Sequence, residues 1–135
     1  MFKLKNILGA KNNVPEIVNI KVGYGSPILE GCIYFIANGS ISIERPEKPV
    51  RFLAMETLEE GHTKEKVRGF VVTDGMIFEA NADSSISIAN IGDPLSFARD
   101  ERGNITGVCT LDNGDGNSEG ILFSRSSGKV DVLLY

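Results

Sequence analysis

The sequence predicts an all-β fold, either a small β-barrel or a β-sandwich-like domain, with at most one short helix and an extended N-terminal segment. Two observations support this prediction. About ten short runs rich in Ile, Val and Phe are separated by Gly, Asn, Asp or Pro, at the spacing of barrels and sandwiches. Several runs also alternate apolar and polar residues, which is the period of a strand with one buried face.

The predicted strands follow one another along most of the chain. They span residues 17–22, 32–36, 41–44, 50–55, 66–72, 76–80, 85–89, 95–99, 105–111, 121–124 and 130–134. Asn38-Gly39 is a strong signal for a two-residue hairpin. Thr73-Asp74-Gly75 predicts a turn, because Asp-Gly readily supplies a positive φ. Residues 53–66 contain good helix formers, but Gly61 limits them to a short helix.

The length of 135 residues indicates one domain. Residues 1–14 are predicted to form either an N-terminal arm or a first strand, and residues 15–135 a single β domain. The alternation predicts a one-sided core, with Ile, Val and Phe inward and polar residues outward. Cys32 and Cys109 lie in apolar surroundings and are interpreted as buried free thiols, although a disulfide between them stays open.

Charge and hydropathy restrict the partners. The net charge is −4, and no cluster of Lys and Arg is interleaved with aromatic residues, so no nucleic-acid partner is expected. No apolar run approaches the roughly 18–20 residues that cross a bilayer, so no membrane partner is expected either. The N-terminal apolar part is too short and interrupted for a signal peptide, which predicts synthesis in the cytoplasm.

The sequence contains no recognisable catalytic, cofactor-binding or metal-binding motif, so none of these sites is expected. His62, the single histidine, lies in a polar loop and is interpreted as solvated rather than as a general base. Residues 111–120 resemble a calcium loop, but the EF-hand pattern places Leu111 and Leu122 at its first and last ligand positions. An enzyme that uses Asp112 and Glu119 as a carboxylate pair is the minor alternative; the expectation is that the chain is not an enzyme.

The order of several motifs is similar to that of small decoration (cement) proteins of tailed-phage capsids. In that group a segment like fLA.E precedes VTpdMIFE, and a GD.v.l strand and a d..G turn follow. The corresponding segments here, after Gly31 opens a strand, are RFLAME at 51–56, GFVVTDGMIFE at 69–79, IGDPLSF at 91–97 and DERG at 100–103. The resemblance covers most of residues 31–128, and VTDGMIFE is its most diagnostic run.

The resemblance implies a non-enzymatic protein of the virion that binds the outer capsid surface and cements contacts between subunits of the major capsid protein, often as a homotrimer. The family has no catalytic residues to carry over, and some members use an extended terminal arm. In this chain, exposed apolar side chains among lysines would suit docking onto an acidic capsid surface. The capsid-contact candidates are Phe2, Lys3, Leu4, Lys5, Ile7 and Leu8.

Two alternative functions stay open beside the decoration hypothesis. In the first, the chain is another structural component of a phage head or tail. In the second, it is a β module that binds host glycans. A glycan-binding module would use an exposed aromatic side chain, and the candidates are Tyr24 and Tyr34.

Overall fold

The computed structural model describes residues 1–8, 14–112, 114, 118–126 and 128–134, with only the backbone of residue 126. These residues form eleven strands and one short 3-10 segment, which confirms the all-β prediction. The strands are β1 (Lys3–Ile7), β2 (Val18–Lys21), β3 (Ile33–Ala37), β4 (Ser40–Ser42), β5 (Arg51–Ala54), β6 (Lys66–Val71), β7 (Met76–Ala82), β8 (Pro94–Arg99), β9 (Ile105–Leu111), β10 (Gly120–Ser126) and β11 (Lys129–Leu134).

Strand pairing closes two five-stranded circuits. In the first, β2 pairs with β4 and β6, β3 pairs with β4 and β5, and β5 pairs with β6. In the second, β7 pairs with β9 and β11, β8 pairs with β9 and β10, and β10 pairs with β11. We call these circuits the first and the second barrel. The pairing of β3 with β9, at Ile33 and Ile105, joins them. Closure leaves neither circuit with an open edge.

Strand β1 lies outside both circuits and pairs antiparallel with β7, from Lys3 opposite Glu79 to Ile7 opposite Met76. A bulge at Lys5 interrupts this register. Among the strands of the described residues, β1 alone has a neighbour on one side only. Within the predicted N-terminal arm or first strand, residues 3–7 form the strand β1, while residues 9–13 lie outside the described part.

The apolar residues form two clusters. The inner core fills the first barrel and contains Val22, Ile28, Cys32, Tyr34, Phe52, Ala54, Leu58 and Val67. The shared core fills the second barrel and the contact between the barrels; it includes Phe2, Ile33, Phe35, Leu53, Phe70, Phe78, Leu95, Ile105, Leu122, Val130 and Val132.

The expectation of a one-sided core is wrong for β3 and β5, because these strands separate the two clusters. Successive side chains of a strand point to opposite faces. Phe52 accordingly packs in the inner core, while the next residue, Leu53, packs in the shared core. All four residues of β5 are buried, including Arg51.

The predicted strand over residues 85–89 is also wrong, since a 3-10 segment spans Ser84–Ile88. Asp83 caps this segment by accepting a hydrogen bond of 2.9 Å from the backbone N–H of Ser85. The Ser87 hydroxyl donates to the carbonyl of Ser84 at 2.9 Å. Such local side-chain bonds compete with a strand ladder, and the serines that produced the alternating pattern make them here.

Two connections differ from, or refine, the predictions. Residues 53–66 contain no helix; instead, Leu58 and Ile28 exchange backbone hydrogen bonds of 2.8 and 2.9 Å. The Thr73–Gly75 turn forms as predicted, with Gly75 at φ +85°. It joins β6 of the first barrel to β7 of the second, so the two strands it connects are not paired with each other.

Gly107 permits the N-terminal segment to cross β9, which makes its replacement a test of this packing. It has φ +86°, and a Cβ atom there would lie 2.5 Å from the Met1 carbonyl carbon. Gly39 has φ +76° with no atom within 4 Å of a Cβ. Both alanine variants carry the strain of positive φ, but only Gly107→Ala must displace the segment. We expect Gly107→Ala to lower the free energy of unfolding by about 1–3 kcal/mol more than Gly39→Ala.

Urea denaturation of both variants measures this difference. Equal losses for Gly107→Ala and Gly39→Ala would contradict the close contact between β9 and the N-terminal segment.

Candidate docking surface

Phe2 anchors the N-terminal segment in the protein interior. Its side chain is 3% exposed, and its ring packs edge-on against Phe97 and Phe78, with centroid distances of 4.9 and 6.1 Å. Its backbone N–H donates to the carbonyl of Gly31 at 2.9 Å. The expectation that Phe2 is an exposed contact residue is therefore wrong, because the ring belongs to the shared core.

The other five predicted contact residues divide into two groups. Leu4 and Ile7 are half-buried and pack against the shared core. Lys3, Lys5 and Leu8 are exposed. Alternation together with the bulge at Lys5 explains this division, because the extra residue brings Leu4 and Ile7 to the same, core-facing side of β1. A role of these residues in capsid contact stays a prediction.

An ion pair fixes the bulge of β1 to β11. Lys5 Nζ lies 2.8 Å from Asp131 Oδ2, and the Ser124 hydroxyl donates to the same oxygen at 2.6 Å. Partial burial alone would raise the pKa of Asp131, but the hydrogen bonds from Lys5 and Ser124 outweigh burial. The pKa of Asp131 consequently lies below its usual value of 3.8.

A groove of about 840 Å³ runs beside the start of β1. Its walls are formed by Met1, Phe2, Lys3, Leu4, Val14, Pro15, Ile17, Leu29, Glu30, Gly31, Leu53, Ala54, Met55, Thr57 and Phe70. Four of the apolar side chains are exposed: Met1, Val14, Ile17 and Met55. Contiguous exposed apolar surface is typical of interaction sites, whereas single exposed apolar residues are not, so this groove is a candidate docking surface.

Three of the predicted contact residues, Phe2, Lys3 and Leu4, line this groove, whereas none of the residues in its opposite wall was predicted as a contact. The missed residues include Pro15, Ile17 and Met55, which come from the segment before β2 and from the connection after β5. In the sequence, Ile17 and Met55 are the ends of predicted strands and look like core positions. Only the pairing of distant strands brings them beside β1, so no local signal was available.

The two carboxylates of the enzyme alternative have separate partners. Both carboxylate oxygens of Glu119 accept hydrogen bonds from guanidinium groups, those of Arg45 and Arg51. Asp112 accepts from the Ser96 hydroxyl at 2.8 Å and from the N–H of Gly114 at 3.1 Å. Glu119 precedes β10 in the second barrel, while Arg51 begins β5 in the first. We call Arg45, Arg51 and Glu119 the ion cluster; it connects the barrels.

Two further side chains differ from their predicted surroundings. His62 is half-buried rather than solvated: its Nε2 lies 2.6 Å from the carbonyl oxygen of Ser26, and its Nδ1 is buried without a described partner. Tyr34 is buried rather than exposed, and its hydroxyl accepts a bond of 2.8 Å from the N–H of Leu29. Tyr34 is thereby excluded as an exposed glycan contact, whereas Tyr24 is exposed.

The two thiols match the prediction. Cys32 and Cys109 are buried and free. Burial raises the pKa of Cys32 to about 11 and that of Cys109 to about 12.

The described part of the chain contains neither a metal-binding cluster nor a membrane-spanning helix. No group of three or more His, Cys, Asp or Glu side chains that could hold a metal ion is found there. Residues 113 and 115–117 of the calcium-like loop lie outside it. No helix formed by the described residues has the length and apolar character needed to cross a membrane.

Comparison of the chain with protein-family models, with curated proteins and with solved structures gives no match.

Replacing Glu119 tests the ion cluster. We expect Glu119→Gln to lower the free energy of unfolding by about 3–5 kcal/mol, because Arg51 is then buried without a counter-charge. Glu60→Gln is the matched control: its partner Arg102 is 3.7 Å away and both side chains are exposed, so the loss should stay below about 1 kcal/mol. Chemical denaturation measures both values. Similar small losses would show that the cluster does not hold the barrels together.

The lowered pKa of Asp131 predicts a specific pH dependence. A carboxylate with a depressed folded-state pKa stabilises the protein above its unfolded pKa, and this stabilisation is lost as the pH falls through the folded value. The free energy of unfolding should therefore decrease on acidification below pH 3.8, and by less in Asp131→Asn than in the unmodified protein. Urea denaturation at pH 7 and at pH values around 3 compares them; parallel curves would rule out this contribution.

Proposed function

We propose that this chain is a non-enzymatic capsid decoration protein, which binds the outer surface of a phage capsid and stabilises contacts between major capsid protein subunits. The observation that carries the proposal is the exposed apolar groove beside β1. The motif order over residues 31–128 supports the choice of a phage capsid as the partner.

The geometry beside the groove suits a segment of another protein. Lys3 and Glu30 place one positive and one negative side chain in the walls, so polar contacts can accompany apolar ones. Strand β1 borders the groove and has a strand neighbour on one side only within the described residues. A partner segment that lies in the groove can therefore also pair with the backbone of β1.

Stabilisation follows from mass action. A protein that binds the assembled shell but not the free subunit shifts the equilibrium towards the shell. We propose a homotrimer as the active form, because three linked grooves bind more tightly than one at the same contact area. The closed barrels provide a scaffold without exposed barrel edges, which limits association at other faces.

Point variants in the groove test this proposal better than truncation, because removing Phe2 would open the shared core. We expect Ile17→Asp to weaken binding to co-encoded capsids by roughly tenfold or more, since a charge replaces an apolar contact. The rise in capsid disruption temperature should shrink in parallel. Co-sedimentation with preformed capsids and thermal disruption of the particles measure these effects.

The matched control is Ile91→Asp, which introduces the same charge at an exposed isoleucine outside the groove. It should bind capsids as the unmodified protein does. Equal loss in both variants, or no capsid binding by the unmodified protein, would contradict the proposal.

A further inference from the structure

Tyr24 is more exposed than any other large apolar side chain in the described part of the chain, at 81%. The Tyr24 hydroxyl has no hydrogen-bond partner among the described residues. The turn that carries it is nevertheless fixed: the N–H of Ser26 donates to Gly23 at 3.1 Å and the N–H of Gly61 donates to Gly25 at 2.9 Å. The His62 contact with Ser26 adds a third restraint. An aromatic side chain on a fixed backbone loses little entropy on binding.

A pocket of about 360 Å³ lies beside this turn, and Gly23 and Ser26 at the ends of the turn line it. Its apolar surface includes Val22, Ile28 and Tyr34, at one mouth of the first barrel. Residues 102 and 104, from the β8–β9 connection of the second barrel, complete the wall. Small-molecule sites occur preferentially in barrel mouths and between structural units, and this pocket has both features.

Polar groups without strong partners face this apolar surface. The Asn104 amide nitrogen donates to Asp100 at 2.9 Å, and its side-chain oxygen accepts no hydrogen bond from a described residue. The Ser26 hydroxyl is likewise without a described partner. The Arg102 guanidinium has only a distant contact of 3.7 Å with Glu60. Hydrogen-bond donors and acceptors therefore border an apolar floor, and the turn that carries the exposed Tyr24 has both of its ends, Gly23 and Ser26, in the wall of this pocket.

We propose that Tyr24 and this pocket form a carbohydrate-binding site. A sugar ring presents an apolar face of C–H groups, which suits the Tyr24 ring, and hydroxyl groups at its edge, which suit Ser26, Asn104 and Arg102. Glu59, Glu60 and Asp100 place three negative charges around the site against the two positive charges of Arg99 and Arg102, so the site favours a neutral sugar over an acidic one. The pocket shares no lining residue with the groove beside β1, so the inference is independent of capsid binding.

The test is a titration of the ¹⁵N-labelled full chain, followed by amide chemical shifts. The probes are glucose, galactose, mannose, N-acetylglucosamine and N-acetylgalactosamine, each to about 50 mM, with N-acetylneuraminic acid as the acidic comparison. At least one neutral sugar should give saturable shifts at Gly23, Ser26 and Asn104. N-acetylneuraminic acid should give smaller shifts at the same concentration.

Three variants localise the site. Tyr24→Ala should weaken binding by about three- to tenfold without a change in thermal stability, whereas Tyr24→Phe should retain binding because the ring remains. Ile88→Ala, at an exposed side chain outside the pocket, should bind normally. The absence of saturable shifts with every neutral sugar, or unchanged affinity in Tyr24→Ala, would overturn the proposal. Equal or tighter binding of the acidic sugar would overturn its neutral specificity.

Discussion

The fold depends on the packing of β3 and β5 between the two apolar clusters. These strands form part of the first barrel, and their outer faces are covered by the second barrel, so Phe52 and Leu53 are buried on opposite sides of one strand. Separating the barrels would expose the shared core and leave Arg51 without Glu119. Burial of this apolar surface and pairing of this charge therefore support the same arrangement, and the two surfaces proposed for binding lie on a rigid support.

The two proposed surfaces use different properties of that support. The groove beside β1 exists because the N-terminal segment crosses Gly107 and inserts Phe2 between the barrels. The pocket beside Tyr24 exists because the β8–β9 connection of the second barrel reaches one mouth of the first. The pocket is lined by residues of both barrels, whereas the groove is lined by the N-terminal segment together with the first barrel and its connections.

Strand positions could be predicted from the sequence, because alternation and Gly-containing turns are local signals. The Asn38-Gly39 hairpin and the turn at Gly75 are examples. The order in which the strands pair could not be predicted, because the pairings of β3 with β9 and of β7 with β9 connect segments that are far apart in the sequence. For the same reason, the environments of Phe2, Tyr34 and Glu119 could not be predicted from the sequence. At Ser84–Ile88 the alternation of apolar and polar residues predicted a strand, but hydrogen bonds from serine side chains to nearby backbone favour the 3-10 segment instead.

The position of β1 has a consequence for the order of folding. It is the first strand in the chain, yet its partner β7 begins only at Met76, after the whole first barrel. During synthesis β1 consequently stays unpaired while β2 to β6 emerge and close, and such long-range pairing forms late. The groove beside β1 becomes complete only after the second barrel has formed. A nascent or partly folded chain thus lacks the complete groove, so it cannot associate prematurely through the proposed contact surface.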